Sequence, residues 1–352
     1  MEWRLPVSPE VLTVISKIDH FQGLWSGTKN VPAERLARIE EAARTQSIAA
    51  TCRLAGIRVT DADVAGVLRG ESVVPPRDSK EILGYAAAMA SPLPAGDRLL
   101  SSQDLRKLHG VMLGREPSPW RRQELLREAF DAEGKAIGQV FPSLPPRMVE
   151  SKTEELLTWL ELELRSGEQH PVLVIGAFLL CLQSISPFEL GNGRLGRLLA
   201  GLLLQRKGYS FIPYASIEAQ MEERRDDYHE ARSRAQARLW TDEADLTPWL
   251  VFFLQVLGRH RAKVKVKLAL ERKVQDFPPL QRSILEAVRE HGDVDAALLI
   301  QATGANRNTL KDNIRRLVQG GVLEKIGQRR ATRYRMATGE PVRPPAEGPP
   351  EH

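Results

Sequence analysis

Apolar residues along this chain recur mainly three and four positions apart, and alternating apolar–polar runs are scarce before residue 320. That period belongs to α-helices with one buried face. Pro32-Ala33-Glu34-Arg35-Leu36-Ala37-Arg38-Ile39 opens one such helix, with proline in the first turn and an acid near the start. The same spacing predicts helices over residues 78–90, 102–113, 146–165, 171–185, 193–207, 216–237 and 247–274. The body of the molecule is therefore expected to be all-α.

A chain of 352 residues has room for two domains and a small third. Between residues 114 and 145 the helical pattern breaks at Pro117, Pro119, Gly134, Gly138, Pro142 and Pro145, with Ile137 to Phe141 reading as a short hairpin arm. A long irregular stretch inside a helical body usually serves function. Residues 259–276 read as a basic helical linker. From Phe277 the spacing predicts helices over 279–290, 294–302 and 306–319, then a hairpin of 322–326 with 332–336. Three helices and a hairpin in that order resemble a winged helix-turn-helix domain. The tail from Thr338, rich in Pro, Glu and Gly, has the composition of a disordered segment.

The 50 basic residues exceed the 45 acidic ones by five, and the excess is concentrated. Residues 303–336 hold nine Lys and Arg against Asp312 and Glu324, a net +7, which leaves −2 for everything else. Basic charge gathered on one helix and one hairpin is the footprint of DNA binding. Arg307, Asn308, Lys311 and Arg315 lie along the expected recognition helix; Arg329, Arg330 and Arg333 lie on the expected wing, within reach of phosphates. The bland alternative is a solvated basic face on a protein-docking module. A homodimer would suit a DNA reader. Two cysteines, Cys52 and Cys181, cannot build a disulfide framework and suit a reducing compartment. The most apolar run, 172–185, is too short to span a bilayer. The start lacks an apolar run after a basic segment, which predicts no signal peptide. These features predict a cytoplasmic protein without a membrane partner.

The most informative stretch is Ser186-Pro187-Phe188-Glu189-Leu190-Gly191-Asn192-Gly193-Arg194-Leu195-Gly196-Arg197. Its glycines match G-x-G-x-x-G, but that dinucleotide fingerprint needs a preceding strand, and a helix precedes here. Two glycines before an apolar helix, with Asn192 between them, leave backbone N–H groups open to a ligand. The start of a helix favours anions. Arg194 and Arg197, three apart, share one face of the first turn. Two guanidiniums beside such a turn suit a di- or triphosphate. Taken alone, the pattern would more often be a glycine turn with two solvated arginines.

The longer pattern resembles the signature of the Fic family, His-Pro-Phe-x-Asp/Glu-Gly-Asn-Gly-Arg-x-x-Arg. His170-Pro171, Pro119-Trp120-Arg121, Val140-Phe141-Pro142 and the segment Leu246 to Leu254 extend the resemblance over residues 30–258. It implies an all-α Fic-fold core with a short β-hairpin flap, for which a winged helix is a frequent companion. The divisions it suggests are an N-terminal helical region to residue 100, a core over 101–258, the linker, a winged helix over 277–337 and the tail. The family's usual activity is transfer of AMP from ATP to a protein hydroxyl. The motif His acts as general base, the acid binds Mg²⁺, and the glycine turn, Asn and arginines hold the triphosphate.

Three positions depart from that pattern. Ser186 stands in place of the His, and a serine hydroxyl is no base near neutral pH; such help is worth about 10²–10⁴ in rate. Leu190 stands in place of the acid and offers Mg²⁺, a hard ion, no oxygen. Gly191, Asn192, Gly193, Arg194 and Arg197 all match. The resemblance thus carries over ATP or a related nucleotide, but neither a metal ligand nor a base. Upstream, Thr51-Cys52-Arg53-Leu54-Ala55-Gly56 resembles the family's inhibitory helix, whose Glu pairs with the second motif Arg. Ala55 stands at that position, so Arg197 is expected to be free for an anion. Among the histidines, His170 starts the helix that ends at Ser186, about 24 Å away at ~1.5 Å per residue, and His229 is expected to face solvent. Three readings follow: a catalytically impaired nucleotide- or polyanion-binding regulator that binds DNA; an active adenylyltransferase, or other phosphate-transfer enzyme with a protein target, using a non-standard base; and a ligand-free interaction scaffold.

Overall fold

The computed structural model describes residues 5, 8–26, 31–94, 98–115, 117–125, 128–130, 136–139, 144–275, 277–327 and 332–337. Arg329, Arg330, the Val140-Phe141-Pro142 segment and the tail from Thr338 lie outside the described residues. The chain divides into two compact units, residues 1–265 and 266–352. The N-terminal region and the core expected from residue 101 belong to the same unit.

The first unit is predominantly helical. Its helices are α1 (Pro9–Ser26), α2 (Ala33–Leu54), α3 (Asp61–Leu68), α4 (Pro76–Met89), α5 (Ser102–Met112), α6 (Pro146–Ser166), α7 (Pro171–Ile185), α8 (Asn192–Arg206), α9 (Ile217–Glu222), α10 (Arg225–Gln236) and α11 (Thr247–Gln275), whose residues from Val266 on belong to the second unit. Between α5 and α6, strands β1 (Glu128–Phe130) and β2 (Ala136–Gln139) pair antiparallel, Glu128 opposite Gln139. This is the short arm expected around Ile137.

The helices start where local chemistry satisfies their first amides. Thr60 and Asp63 form a reciprocal capping box on α3, as do Ser101 and Asp104 on α5. Proline opens α4, α6 and α7. α7 is apolar all round: every residue from Val172 to Gln183 is buried, as befits a helix inside a core. It packs between α6 and α8. A Cβ added at Gly176 would lie 2.7 Å from Phe253 Cδ1, and Trp249 Nε1 donates to the Gly176 carbonyl at 2.7 Å. α7 thus meets α11 at close range.

The single helix expected over 216–237 is two helices. Arg224 leaves helical geometry at φ −124°, ψ 45°. Its guanidinium sits 5.2 Å over the Phe252 ring and donates to Gln255 Oε1 at 2.7 Å, and these contacts compete with a continuous backbone ladder. The segment read as a linker is helical as far as Gln275, with no break after the core segment. α1 and α3 were not legible from spacing. Among the described residues no helix is long and apolar enough to cross a membrane.

The second unit holds α12 (Pro279–His291), α13 (Ala296–Thr303), α14 (Arg307–Gln319) and the antiparallel pair β3 (Leu323–Ile326) and β4 (Arg333–Met336). Asp295 caps α13 and Asn306 caps α14. Gly304, at φ +65°, ends α13 three residues before α14 begins. Ile284, Leu285, Val288, Leu299, Leu310, Ile314 and Leu317 form its core. Val294 exchanges backbone hydrogen bonds with Tyr334, adding one rung to the hairpin.

Candidate functional site

The segment from Ser186 to Arg197 joins α7 to α8. Ser186 ends α7 in the left-handed region, φ 49° and ψ 69°, and is the one non-glycine residue with positive φ among the described residues. Such a conformation costs about 1–3 kcal/mol and persists only where the surroundings impose it. Arg121 is the residue that imposes it. Its buried guanidinium donates to the carbonyls of Ser186 (2.7 Å), Ile185 (3.3 Å), Gln123 (2.8 Å) and Leu144, while its own N–H donates to Pro187 O at 2.9 Å. A cation at the C-terminal end of a helix is electrostatically favoured. Burial lowers the Arg121 pKa, yet four carbonyls satisfy the charge.

The Ser186 hydroxyl is fully buried and donates to Gln183 O at 2.7 Å. It is oriented away from solvent and its proton is engaged, so it is not placed to activate a second hydroxyl.

Phe188 is buried face to face with His109, ring centroids 3.8 Å apart and planes within 7°. Trp120 stacks on it at 5.5 Å. His109 Nε2 lies 2.9 Å from the Leu190 carbonyl and Nδ1 lies 2.6 Å from Ser118 Oγ. A carbonyl only accepts, so the N–H is on Nε2 and the Ser118 hydroxyl donates to Nδ1. Burial pushes the His109 pKa down to about 4, so the ring is neutral at pH 7. Sequence reasoning missed this residue: a lone histidine on α5 carries no motif, and its role comes from packing. Gly191 turns at φ +79°, and a Cβ there would lie 3.0 Å from His109 Nε2. Both facts require glycine.

Asn192 closes the turn on itself. Its Nδ2 donates to Phe188 O at 2.6 Å and its Oδ1 accepts from Phe188 N at 2.9 Å. The two arginines at the start of α8 are buried and each has a protein partner. Arg194, 6 % exposed, forms an ion pair with Glu81 of α4. Its Nε–H is buried with no acceptor among the described residues. Arg197, 5 % exposed, donates from Nε and Nη2 to Thr51 Oγ1 (3.0 and 2.8 Å) and from Nη2 to Thr51 O (3.2 Å). This corrects the expectation that Arg197 is free. Ala55 does cap α2 with an exposed methyl, but Thr51, one turn earlier on the same helix, takes the guanidinium. Both arginines still lie by the turn: Arg197 Nη1 is 3.3 Å from the point a Gly193 Cβ would occupy, and Arg194 Nη2 is 3.8 Å from that of Gly191.

The residues present do not fit a Mg²⁺ ion. Leu190 is 49 % exposed and brings no oxygen. The neighbouring Glu189 carboxylate accepts from Arg122 N at 2.8 Å. Among the described residues no three His, Cys, Asp or Glu side chains gather as a metal site. His229, expected in solvent, is half-buried, and burial with the nearby Arg232 and Arg225 lowers its pKa to about 4. His170 caps α7 through Nδ1 and pairs with Asp19 at 2.9 Å.

In the second unit Arg307, Asn308, Lys311 and Arg315 are exposed along α14, and Arg333 is exposed on β4. Arg315 pairs with Asp312 at 2.6 Å.

Comparison with known proteins places these features. Residues 99–204 match the Fic/DOC family model. A crystal structure of a Fic family protein from Desulfovibrio desulfuricans superposes with a TM-score of 0.62 at 21 % identity, covering 96 % of this chain and 99 % of that one. A Fic domain-containing signaling protein from Bacteroides thetaiotaomicron gives 0.56 at 19 % identity, over 74 % of this chain and 97 % of that one. A fragment of Fic-1 from C. elegans gives 0.57 at 19 %, over 75 % and 72 %. The buried α7, the glycine turn and the two arginines at the start of α8 all fall within the span that matches the Fic/DOC family model.

Proposed function

We propose that this protein is a Fic-fold regulator that holds a nucleotide or another polyanion at Gly191–Arg197 without efficient transfer, and that its C-terminal unit is a winged helix-turn-helix reading DNA. One observation carries the first half. The Arg194 Nε–H is buried without an acceptor among the described residues, and the Nη2 of the same guanidinium lies 3.8 Å from the point a Gly191 Cβ would occupy; leaving such a donor unpaired costs about 1–3 kcal/mol. An anion oxygen at the turn would satisfy it. The inward Ser186 hydroxyl and the aliphatic Leu190 argue against the family's AMP transfer. Exposed Arg307, Asn308, Lys311 and Arg315 on one helix support the second half.

The test is calorimetric titration of the full chain with ATP, repeated on Arg194→Ala and Arg197→Ala. Saturable binding lost in both variants supports the reading; no binding by the parent protein ends it. Incubation with labelled ATP and cell extract addresses the enzyme reading, since label transfer abolished by Arg194→Ala would replace our proposal with a transferase using another base. The scaffold reading draws on a separate observation, the Asn192, Glu81 and Thr51 contacts that satisfy much of the loop from within. It predicts a salt-dependent DNA complex that no nucleotide alters.

A further inference from the structure

Glu81 reaches the phosphate loop from outside the motif. It lies in the second turn of α4 and pairs with Arg194, with side chains 20 % and 7 % exposed respectively. A carboxylate and a phosphate present the same kind of oxygen edge to a guanidinium, so Glu81 occupies the place an anion would take. The helix delivering it is held in position. One turn on, a Cβ at Gly84 would lie 2.2 Å from the Met112 carbonyl, so α4 rests directly on the end of α5. Exchange must therefore come from rotation of the Glu81 side chain rather than from withdrawal of the helix.

Glu81 also lines a cleft of about 330 Å³ with Pro76, Arg77, Lys80 and Leu113. Arg77 and Lys80 are exposed. Glu81 thus belongs both to the Arg194 ion pair and to a cleft that carries two surface cations.

We propose that Glu81 is a built-in competitor for the anion site, and that Arg77 and Lys80 form a receiving subsite for a second phosphate group. A ligand with two or more linked phosphates places one group on Arg194 in place of the carboxylate and another in the cleft. A single phosphate gains only the first contact. The site accordingly selects di- and triphosphates, and Glu81 sets the threshold concentration. This rests on the anion-binding reading above.

The test is titration of the full chain with inorganic phosphate, pyrophosphate and tripolyphosphate. Glu81→Gln keeps an oxygen on Arg194 but removes the competing charge, so it should tighten all three by about tenfold; thermal unfolding checks that the variant is folded. Arg77→Ala with Lys80→Ala, both exposed, should weaken pyrophosphate and tripolyphosphate by about tenfold and leave phosphate unchanged. Binding by the parent that Glu81→Gln leaves equal or weaker overturns the competitor while sparing the anion site. Equal losses for phosphate and pyrophosphate overturn the subsite. Absence of binding in both parent and Glu81→Gln overturns this inference and the reading beneath it, whereas binding gained only in Glu81→Gln supports Glu81 as the competitor and ends the reading that the parent holds an anion.

Discussion

The Arg197 guanidinium is gripped by Thr51, which offers it both its hydroxyl, at 2.8 and 3.0 Å, and its carbonyl, at 3.2 Å. The contact ties α8 to α2 across 146 residues of sequence, inside a region where both partners are buried. Thr51→Val keeps the shape but removes the hydroxyl that accepts from Nε and Nη2. Stability should fall by about 1–3 kcal/mol, read as a lower urea midpoint at unchanged slope. An unchanged midpoint would show that the contact contributes nothing to folding.

His109 makes stability depend on pH. Its pKa is pushed down to about 4, by burial first, with the Leu190 carbonyl opposing and the charges of Arg115 and Arg194 adding. Its ordinary value is about 6.5, so between these values the unfolded chain binds a proton that the folded one refuses. Stability is full above about pH 6.5 and declines as pH falls toward 4, by roughly 2–3 kcal/mol. His229 acts in the same direction. In His109→Gln the stability curve between neutral pH and about pH 4.5 should be flatter than in the parent; an equally steep curve would assign the dependence elsewhere.

Two helical glycines should respond oppositely to a methyl group. At Gly84 the new carbon would meet the Met112 carbonyl at 2.2 Å, while at Gly201 nothing lies within 4 Å. Gly84→Ala should cost about 1–3 kcal/mol or more through displaced backbone. Gly201→Ala should gain up to about 1 kcal/mol from helix propensity. Thermal denaturation of the two variants reads both signs.

Ser186→His with Leu190→Asp places a base and an acid at the positions where the Fic signature has them. With labelled ATP and Mg²⁺, the double variant should transfer label to protein at a rate about 10²-fold or more above the parent. Ser186→His alone should stay near the parent rate, because the metal still lacks an oxygen. Inactivity of the folded double variant would undermine the assignment of roles to these two positions.

DNA affinity, if it comes from α14, should respond to its exposed cations. Arg307→Ala and Lys311→Ala should each weaken binding and reduce the slope of affinity against salt by about one. A mobility-shift series across salt concentrations checks this. Variants that bind as well as the parent would redirect attention to a protein partner.

Much of the architecture was readable because it is local. Pro171 and the unbroken apolar run to Ile185 specify a buried helix whatever surrounds it, and Gly191-Asn192-Gly193 specifies a turn feeding another. Asn306 and Asp295 announce helix starts by their own side chains. That Ser186 carries no imidazole and Leu190 no carboxylate was likewise visible, since it is a statement about residue type. The state of the site was not visible. The sequence suggested a free Arg197 once Ala55 replaced the expected acid, yet Thr51 and Glu81, each more than a hundred residues from its arginine in sequence, decide what the guanidiniums touch. His109 and Arg121 gain their roles because packing of α5 and of the segment before β1 brings them under the loop. Backbone preference acts between neighbours in the chain and is written in residue order. The pairing of buried charges depends on which helices pack together, and in this protein only the tertiary structure settles that.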